Sequence, residues 1–265
     1  MEIHNSTPVG SGDVTDTAGS KGGPSPRERA GTRASDAGAT RVDPHVKVLD
    51  ERVAARAKAR GLDVLVYAPH FTRLPEIRRR AERFSDDDLL VVPAREVFTG
   101  TWRNRRHVLA VGLSEPVPDF ITLDGALSAF EAQGAAVLVP HPAFLTVSLS
   151  AEDIAANRDR IHGIETHNFK SRPRQNRRAR SIAADLDLPG FGSSYAHLGG
   201  SVGEVWTAFD RELTSEADLV DALREGDAGR VFRRSGVRHR ARAAAEFAHL
   251  GYENSWGKIE RLFLS

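Results

Sequence analysis

Short apolar runs alternate with helically spaced segments along most of the chain. Runs such as Val64-Leu-Val-Tyr-Ala68 and Ala135-Ala-Val-Leu-Val139 are continuous and β-branched, which is typical of strands buried on both faces. The pattern predicts strands over 42–46, 62–68, 89–92, 107–113, 135–140, 161–168, 191–196, 205–209 and 231–234. It predicts helices over 50–60, 74–84, 122–133, 150–160, 174–186 and 215–225. Because helical segments separate the strands, we expect a parallel sheet, and about seven such units favour a closed or nearly closed barrel.

Three regions follow from this pattern. Residues 1–40 are rich in Gly, Ser, Thr, Pro and Ala without apolar periodicity, which predicts a disordered extension. Residues 41–235 form the predicted α/β barrel, and residues 236–265 are predicted to be one amphipathic C-terminal helix. No apolar stretch is long enough to span a bilayer, and the N-terminus lacks the apolar core of a secretory signal, so we expect a cytoplasmic protein.

Histidines and carboxylates fall at or beside the ends of the predicted strands. They are His45, His70, His107, His141, His167 and His197, with Asp43, Glu96 and Glu165. Strand ends converge at the rim of a barrel, and imidazole with carboxylate is the ligand set that zinc, manganese or iron prefers. The chain has no cysteine, so any metal must be held by nitrogen and oxygen. The remaining histidines, His4, His162, His239 and His249, are interpreted as surface residues.

Six local motifs occur in order along the chain. They are Asp43-Pro-His45-Val-Lys47, Ala68-Pro-His70, Glu96 beyond the third predicted strand, His107-Val-Leu, Pro140-His141-Pro142 and Ser194-Tyr-Ala-His197. In this order they resemble the DxHxH, TDH, glutamate, HxL, HP and SDAH signatures of the PHP family, the polymerase-and-histidinol-phosphatase class of phosphoesterases. The resemblance covers residues 42–197, with the fold continuing to about Arg234.

The resemblance implies a PHP-type distorted (β/α)7 TIM-like barrel that binds one to three divalent ions (Mn, Zn or Fe) at its C-terminal mouth. The implied metal ligands are His45, His70, Glu96, His107, His141 and His197. Glu96 would bridge ions, and the implied catalytic residues are His45, Glu96, His141, His197 and Lys47. The implied function is hydrolysis of a small phosphate ester through metal-activated water.

Three family positions are substituted in this chain. Lys47 replaces the second histidine of the first motif, Pro69 replaces the aspartate of the second, and Tyr195 replaces the aspartate of the last. Two interpretations of Lys47 remain open: its ammonium replaces a missing ion in a degenerate site, or it binds the substrate phosphate. Tyr195 either donates a hydrogen bond to a phosphoryl oxygen or packs.

Two acidic positions and a strand-end histidine have less direct interpretations. Asp43 is expected to orient a neighbouring ligand rather than bind metal itself. Glu165 and His167 share a strand face, and they are either supports for the metal ligands or an ordinary hydrogen-bonded pair.

The net charge is only +1, but positive charge is concentrated in one segment. Residues 170–180 carry Lys170 and five arginines, beginning with Arg172, and no acid. Three interpretations of this run remain open. It is a phosphate clamp in which Arg172 binds substrate, a surface that binds nucleic acid, or a solvated helix face. The alternative function is therefore a degenerate barrel that acts as a binding or regulatory module, on nucleic acid in one version. The sequence predicts no particular oligomeric state.

Overall fold

A barrel-shaped sheet surrounded by helices is the framework of the chain. The computed structural model describes residues 39–142, 147–227 and 229–263. The strands are β1 (Thr40–Val46), β2 (Val64–Tyr67), β3 (Leu90–Thr99), β4 (Arg106–Val111), β5 (Ala136–Val139), β6 (Gly163–Asn168), β7 (Gly190–Ser193), β8 (Val205–Phe209) and β9 (Arg230–Arg233). The helices are α1 (Glu51–Ala59), α2 (Leu74–Phe84), α3 (Leu123–Glu131), α4 (Ala151–Ala156), α5 (Pro173–Asp185), α6 (Glu216–Arg224) and α7 (Val237–Phe263). Each predicted strand and helix has a counterpart here, whereas the predicted extension lies almost entirely outside the described residues.

The strands form one sheet that nearly closes on itself. Their order is β7-β6-β5-β4-β3-β2-β1-β8-β9. The end of β1 meets the segment after β7 through a parallel bridge between Val46 and Ala196 and a 2.9 Å hydrogen bond from the Lys47 amide to the Ala196 carbonyl. The nearly closed barrel expected from the sequence is confirmed.

The expectation of a wholly parallel sheet is wrong at two places. The β3–β4 and β4–β5 pairs are antiparallel, and β8 runs antiparallel to both of its neighbours, β1 and β9. Parallel neighbours need a crossover of about a dozen residues or more, but only residues 100–105 separate β3 from β4. A hairpin is the connection that so short a segment permits. As a result, the first residue of β4 lies at the same end of the barrel as the last residues of β3.

Apolar side chains fill the space between the sheet and its outer helices. Phe130 of α3 is fully buried with Val137 of β5 and Ile164 of β6, because α3 places its apolar positions on one face. Thr122 caps the start of this helix by accepting the Gly125 amide. Among the described residues, none of the helices combines the length and apolar character needed to cross a membrane.

A buried carboxylate, Glu204, connects the C-terminal helix α7 to the barrel. Glu204 accepts hydrogen bonds from Arg60 at 2.7 Å and from Arg242 of α7 at 2.6 Å. The Nδ1 of His239, also on α7, lies 2.7 Å from the second oxygen of Glu204. The interpretation of His239 as a surface residue is therefore wrong, since its side chain is only 16% exposed and contacts a buried carboxylate.

We expect Glu204→Gln to destabilise the protein by about 2 kcal/mol, because two guanidinium groups and an imidazole lose a buried charged acceptor. Urea denaturation measures the change. The matched control is Glu216→Gln, whose ion pair with Arg78 is partly exposed and should contribute less than about 1 kcal/mol. Equal losses in the two variants would contradict the anchoring role of Glu204.

Candidate metal centre

The carboxylate of Glu96 is the centre of a buried cluster of polar side chains. Glu96 lies within β3 rather than after it, because β3 continues to Thr99 while β4 pairs alongside. It is only 1% exposed. The same hairpin explains how His107 reaches the rim although it begins its strand: β4 starts where β3 ends, and His107 lies opposite Phe98.

Three imidazoles surround one oxygen of this carboxylate. Glu96 Oε1 lies 3.1 Å from His141 Nε2, 3.3 Å from His107 Nδ1 and 3.6 Å from His45 Nε2. Glu96, His107 and His141 each offer a donor atom, and these atoms lie within 4.8 Å of one another. Two imidazoles and a carboxylate at this spacing suit a divalent transition metal.

The Lys47 ammonium group contacts the other oxygen of the Glu96 carboxylate. Lys47 Nζ donates to Glu96 Oε2 at 2.6 Å and to the Ala68 carbonyl at 2.6 Å, while His70 Nδ1 lies 3.2 Å from the same carboxylate oxygen. Burial raises the pKa of Glu96, but the Lys47 ammonium and the nearby imidazoles outweigh that effect and hold it well below its usual range. The carboxylate is thus ionised, with a cation already on one side.

Several buried ring nitrogens in this cluster make no hydrogen bond with the described residues. Neither ring nitrogen of His45 makes a hydrogen bond with the described part of the chain, nor does Nε2 of His107. Leaving such groups unsatisfied is costly, and a bound ion is one recognised explanation. Burial, reinforced by the Lys47 ammonium, lowers the pKa of His45 and His70 well below the usual imidazole value, so both are neutral. Neutral imidazole is the form that binds metal, so the donor set fits a divalent cation.

His197 approaches the cluster from a different side, next to a second lysine. Its ring lies 5.6 Å from that of His70, and its Nδ1 contacts Lys170 Nζ and lies 3.2 Å from the Tyr195 carbonyl. Lys170 also lies 3.2 Å from Glu246 of α7, with both side chains fully buried. Glu246 in turn accepts the amide of His197 at 3.3 Å.

Sequence reasoning missed both members of this ion pair. Lys170 had been grouped with the basic run, but it is buried beside the candidate centre. Glu246 lies far along the chain, in the predicted C-terminal helix. No spacing in the sequence marks either residue as part of the site.

Tyr195 packs its ring among the charged and imidazole groups. The ring centroid lies 4.6 Å from that of His45 and 4.8 Å from that of His141. Lys170 Nζ lies 4.3 Å from the same centroid and Lys47 Nζ 5.7 Å. These contacts support the packing interpretation of Tyr195, with added cation–π attraction.

Buried carboxylates position the backbone of two site segments. Glu165 accepts the His141 amide at 2.5 Å, where the His141 φ of 35° is a conformation that non-glycine residues rarely adopt. Asp43 accepts the amides of Ser194 and Gly203, each at 2.9 Å, and burial raises its pKa to about 6. Both contacts match an orienting role rather than direct metal ligation.

His167 and Arg172 lie outside the cluster. The pairing of β6 with β7 shifts register between Glu165 and His167. The strict alternation that would place both side chains on one face of the strand is therefore interrupted. The charged neighbours of His167 include Arg233, Arg180 and His239 rather than the Glu96 group. Arg172 is exposed at the N-cap of α5. The arginines of the basic run are all exposed, namely Arg172, Arg174, Arg177, Arg178 and Arg180.

Comparison with known proteins finds a family match over part of the chain and solved structures of similar fold. A family model described as PHP-associated matches residues 173–228. No curated protein matches the sequence. The chain is similar in structure to PsfC from Pseudomonas syringae PB-5123, with 16% identity, a TM-score of 0.61, and coverage of 80% of this chain and 99% of PsfC.

Two further solved structures share the fold at low identity. The lesion-specific endonuclease PfuEndoQ from Pyrococcus furiosus is 14% identical with a TM-score of 0.53, over 73% of this chain and 57% of that protein. An amidohydrolase from Chromobacterium violaceum is 13% identical with a TM-score of 0.51, over 72% of this chain and 97% of that protein. At such identities the likeness describes the fold alone.

Proposed function

The PHP-associated match together with the barrel fold supports a PHP-family protein, and on that premise we propose that the chain is a metal-dependent phosphoesterase. The observation that carries this proposal is the buried, ionised Glu96 carboxylate with His107 and His141 at metal-ligand spacing. Proteins of similar structure include an endonuclease and an amidohydrolase, which agrees with a hydrolase in general. The substrate proposed from the resemblance is a small phosphate ester.

The proposed ligands are Glu96, His107 and His141, with His45 next to the same carboxylate oxygen. A divalent ion held there would supply Lewis acidity toward a phosphoryl oxygen and would lower the pKa of a bound water. His70 and His197 face the Lys47 side of the carboxylate, so we propose them as ligands only where that side also accepts a cation.

The chain's own residues prepare the site for an anionic substrate. Lys47 keeps Glu96 ionised, and two of its three N–H groups are used by Glu96 and Ala68, so a third can reach a phosphoryl oxygen. Glu165 holds the His141 backbone in its unusual conformation, and Tyr195 packs over the histidines. These groups fix the imidazoles before substrate arrives, which reduces the reorganisation that the reaction requires.

We expect His107→Ala and His141→Ala each to lower metal content at least about ten-fold, because each removes a ligand from a three-residue set. Elemental analysis of protein purified without added metal measures this, with activity on a general phosphomonoester as a second readout. His167→Ala is the matched control, since it removes a partly buried histidine outside the cluster. Unchanged metal content in the first two variants would rule out the site.

The position of Lys47 predicts how many divalent ions each chain binds. Because its ammonium already occupies one side of Glu96, wild-type protein should bind about one divalent ion per chain, and Lys47→His should bind about two. Lys47→Met serves as the control that removes the charge without adding a ligand, and it should not gain the second ion. Two ions in the wild-type protein would contradict the replacement of a cation by Lys47.

The exposed arginines of α5 favour a second candidate function, nucleic-acid binding by the barrel as a module. The five exposed arginines of the basic run occur without an acidic residue among them. Salt-dependent binding to a duplex, weakened by Arg177→Ala with Arg178→Ala, would support this function. Binding that is absent, or unaffected by the two substitutions, would exclude that surface. Exposed Arg83→Ala on α2 is the control.

A further inference from the structure

Aromatic rings extend from the candidate metal ligands to the protein surface. Phe98 stacks on the His107 ring with centroids 4.4 Å apart and an angle of 29°. Phe98 lies 5.0 Å from Phe71 and 6.2 Å from Phe120, and Phe120 lies 5.6 Å from Trp102. We call Phe71, Phe98, Phe120 and Trp102 the aromatic row.

The outer members of this row are exposed although they are large and apolar. Trp102 is 54% exposed, Phe71 52% and Phe120 40%. Only Phe98 is buried, so burial in the core does not account for the other three. A contiguous exposed apolar patch usually marks a binding site rather than ordinary surface.

Backbone conformation gives a second, independent indication. Phe71 has a φ of 52° and Phe120 a φ of 64°, in the left-handed region that bulky residues rarely occupy. Such conformations carry strain, and they cluster at active sites and ligand clamps. Here the strain holds two exposed rings next to a buried one that contacts a proposed metal ligand.

The β3–β4 connection that carries Trp102 is positively charged. Residues 100–105 contain two arginines and no acid, while Asp119, next to Phe120, accepts the Phe98 amide and pairs with Arg95. The Arg105 guanidinium lies 5.1 Å from the Trp102 ring centroid. Aromatic faces beside cations suit a ligand that combines a planar ring with negative charge, which is the chemistry of a nucleotide.

We propose that the aromatic row is a stacking subsite for a heteroaromatic ring joined to the phosphate that the metal centre receives. The substrate class is therefore a nucleotide or the phosphorylated end of a nucleic-acid strand. This inference rests on the proposed function, because a divalent ion held by Glu96, His107 and His141 would receive the phosphate while Phe120 and Trp102 contact the ring.

The test compares two ligands that share a sugar phosphate and differ by the base. Isothermal titration with AMP and with ribose 5-phosphate, on the full chain with Mn²⁺ present, should show AMP binding about ten-fold more tightly or better. Trp102→Ala and Phe120→Ala should each weaken AMP about ten-fold while leaving ribose 5-phosphate unchanged. Trp102→Phe should retain most of the AMP affinity, and Phe247→Ala, an exposed aromatic residue on α7, should change neither ligand.

Each result separates the subsite from the hydrolytic activity. Equal affinity for the two ligands, or no binding of either, would overturn the subsite even if a phosphate ester is hydrolysed. Preference for AMP without any hydrolysis would uphold the subsite and count against the phosphoesterase. A single-stranded oligonucleotide with a terminal phosphate distinguishes a free nucleotide from the end of a nucleic-acid strand. If the oligonucleotide binds more tightly than AMP and Phe120→Ala abolishes the difference, the aromatic row binds strand ends. If the two bind equally, the row binds free nucleotides.

Discussion

The buried ion pair between Glu96 and Lys47 is the interaction on which the rest of the site depends. A carboxylate removed from water is unfavourable unless a cation and hydrogen bonds compensate for its lost hydration. Lys47 provides that compensation on one oxygen, which leaves the other oxygen facing three imidazoles. Burial, reinforced by the Lys47 ammonium, also lowers the pKa of His45 and His70, so the lone pairs of these two imidazoles stay available. The charge pair therefore affects the protonation of groups beyond its own two members.

The topology explains why these side chains meet. A parallel barrel alone would place only the carboxyl ends of strands at one rim, and the start of β4 would then lie at the opposite end. The short β3–β4 connection reverses the chain, so His107 of β4 lies opposite Phe98 of β3. Glu96 is also on β3, two residues before Phe98, so His107 lies close to it. The unusual backbone at His141, held by Glu165, turns a third ligand toward them. The hairpin and this held turn therefore build the compact donor set together.

Much of the fold and part of the site could be predicted from the sequence, for identifiable reasons. Apolar runs are local signals, and the helices predicted over 150–160 and 215–225 are present, with Ser150 and Ser215 as their N-caps. The clustering of Glu96 with His141 was expected because strand ends converge, whereas His107, which begins its strand, was expected there only from the family resemblance. Strand direction could not be deduced, because periodicity says nothing about which way a neighbour runs. Lys170 and Glu246 could not be paired either, since their contact arises only when α7 packs on the barrel.

The aromatic row and the metal centre are parts of one structural unit, because both are built on the β3–β4 hairpin. Phe98 and His107 are a cross-strand pair whose rings stack, so the orientation of a proposed ligand depends on an aromatic residue that contacts two exposed rings. Cross-strand pairs of this kind contribute roughly 0.2–1 kcal/mol each. A ring stacked on Phe120 or Phe71 would therefore also restrain Phe98 and, through it, the His107 imidazole. Recognition of a base and alignment of the ligand would then be coupled by contact alone, without any movement of the barrel.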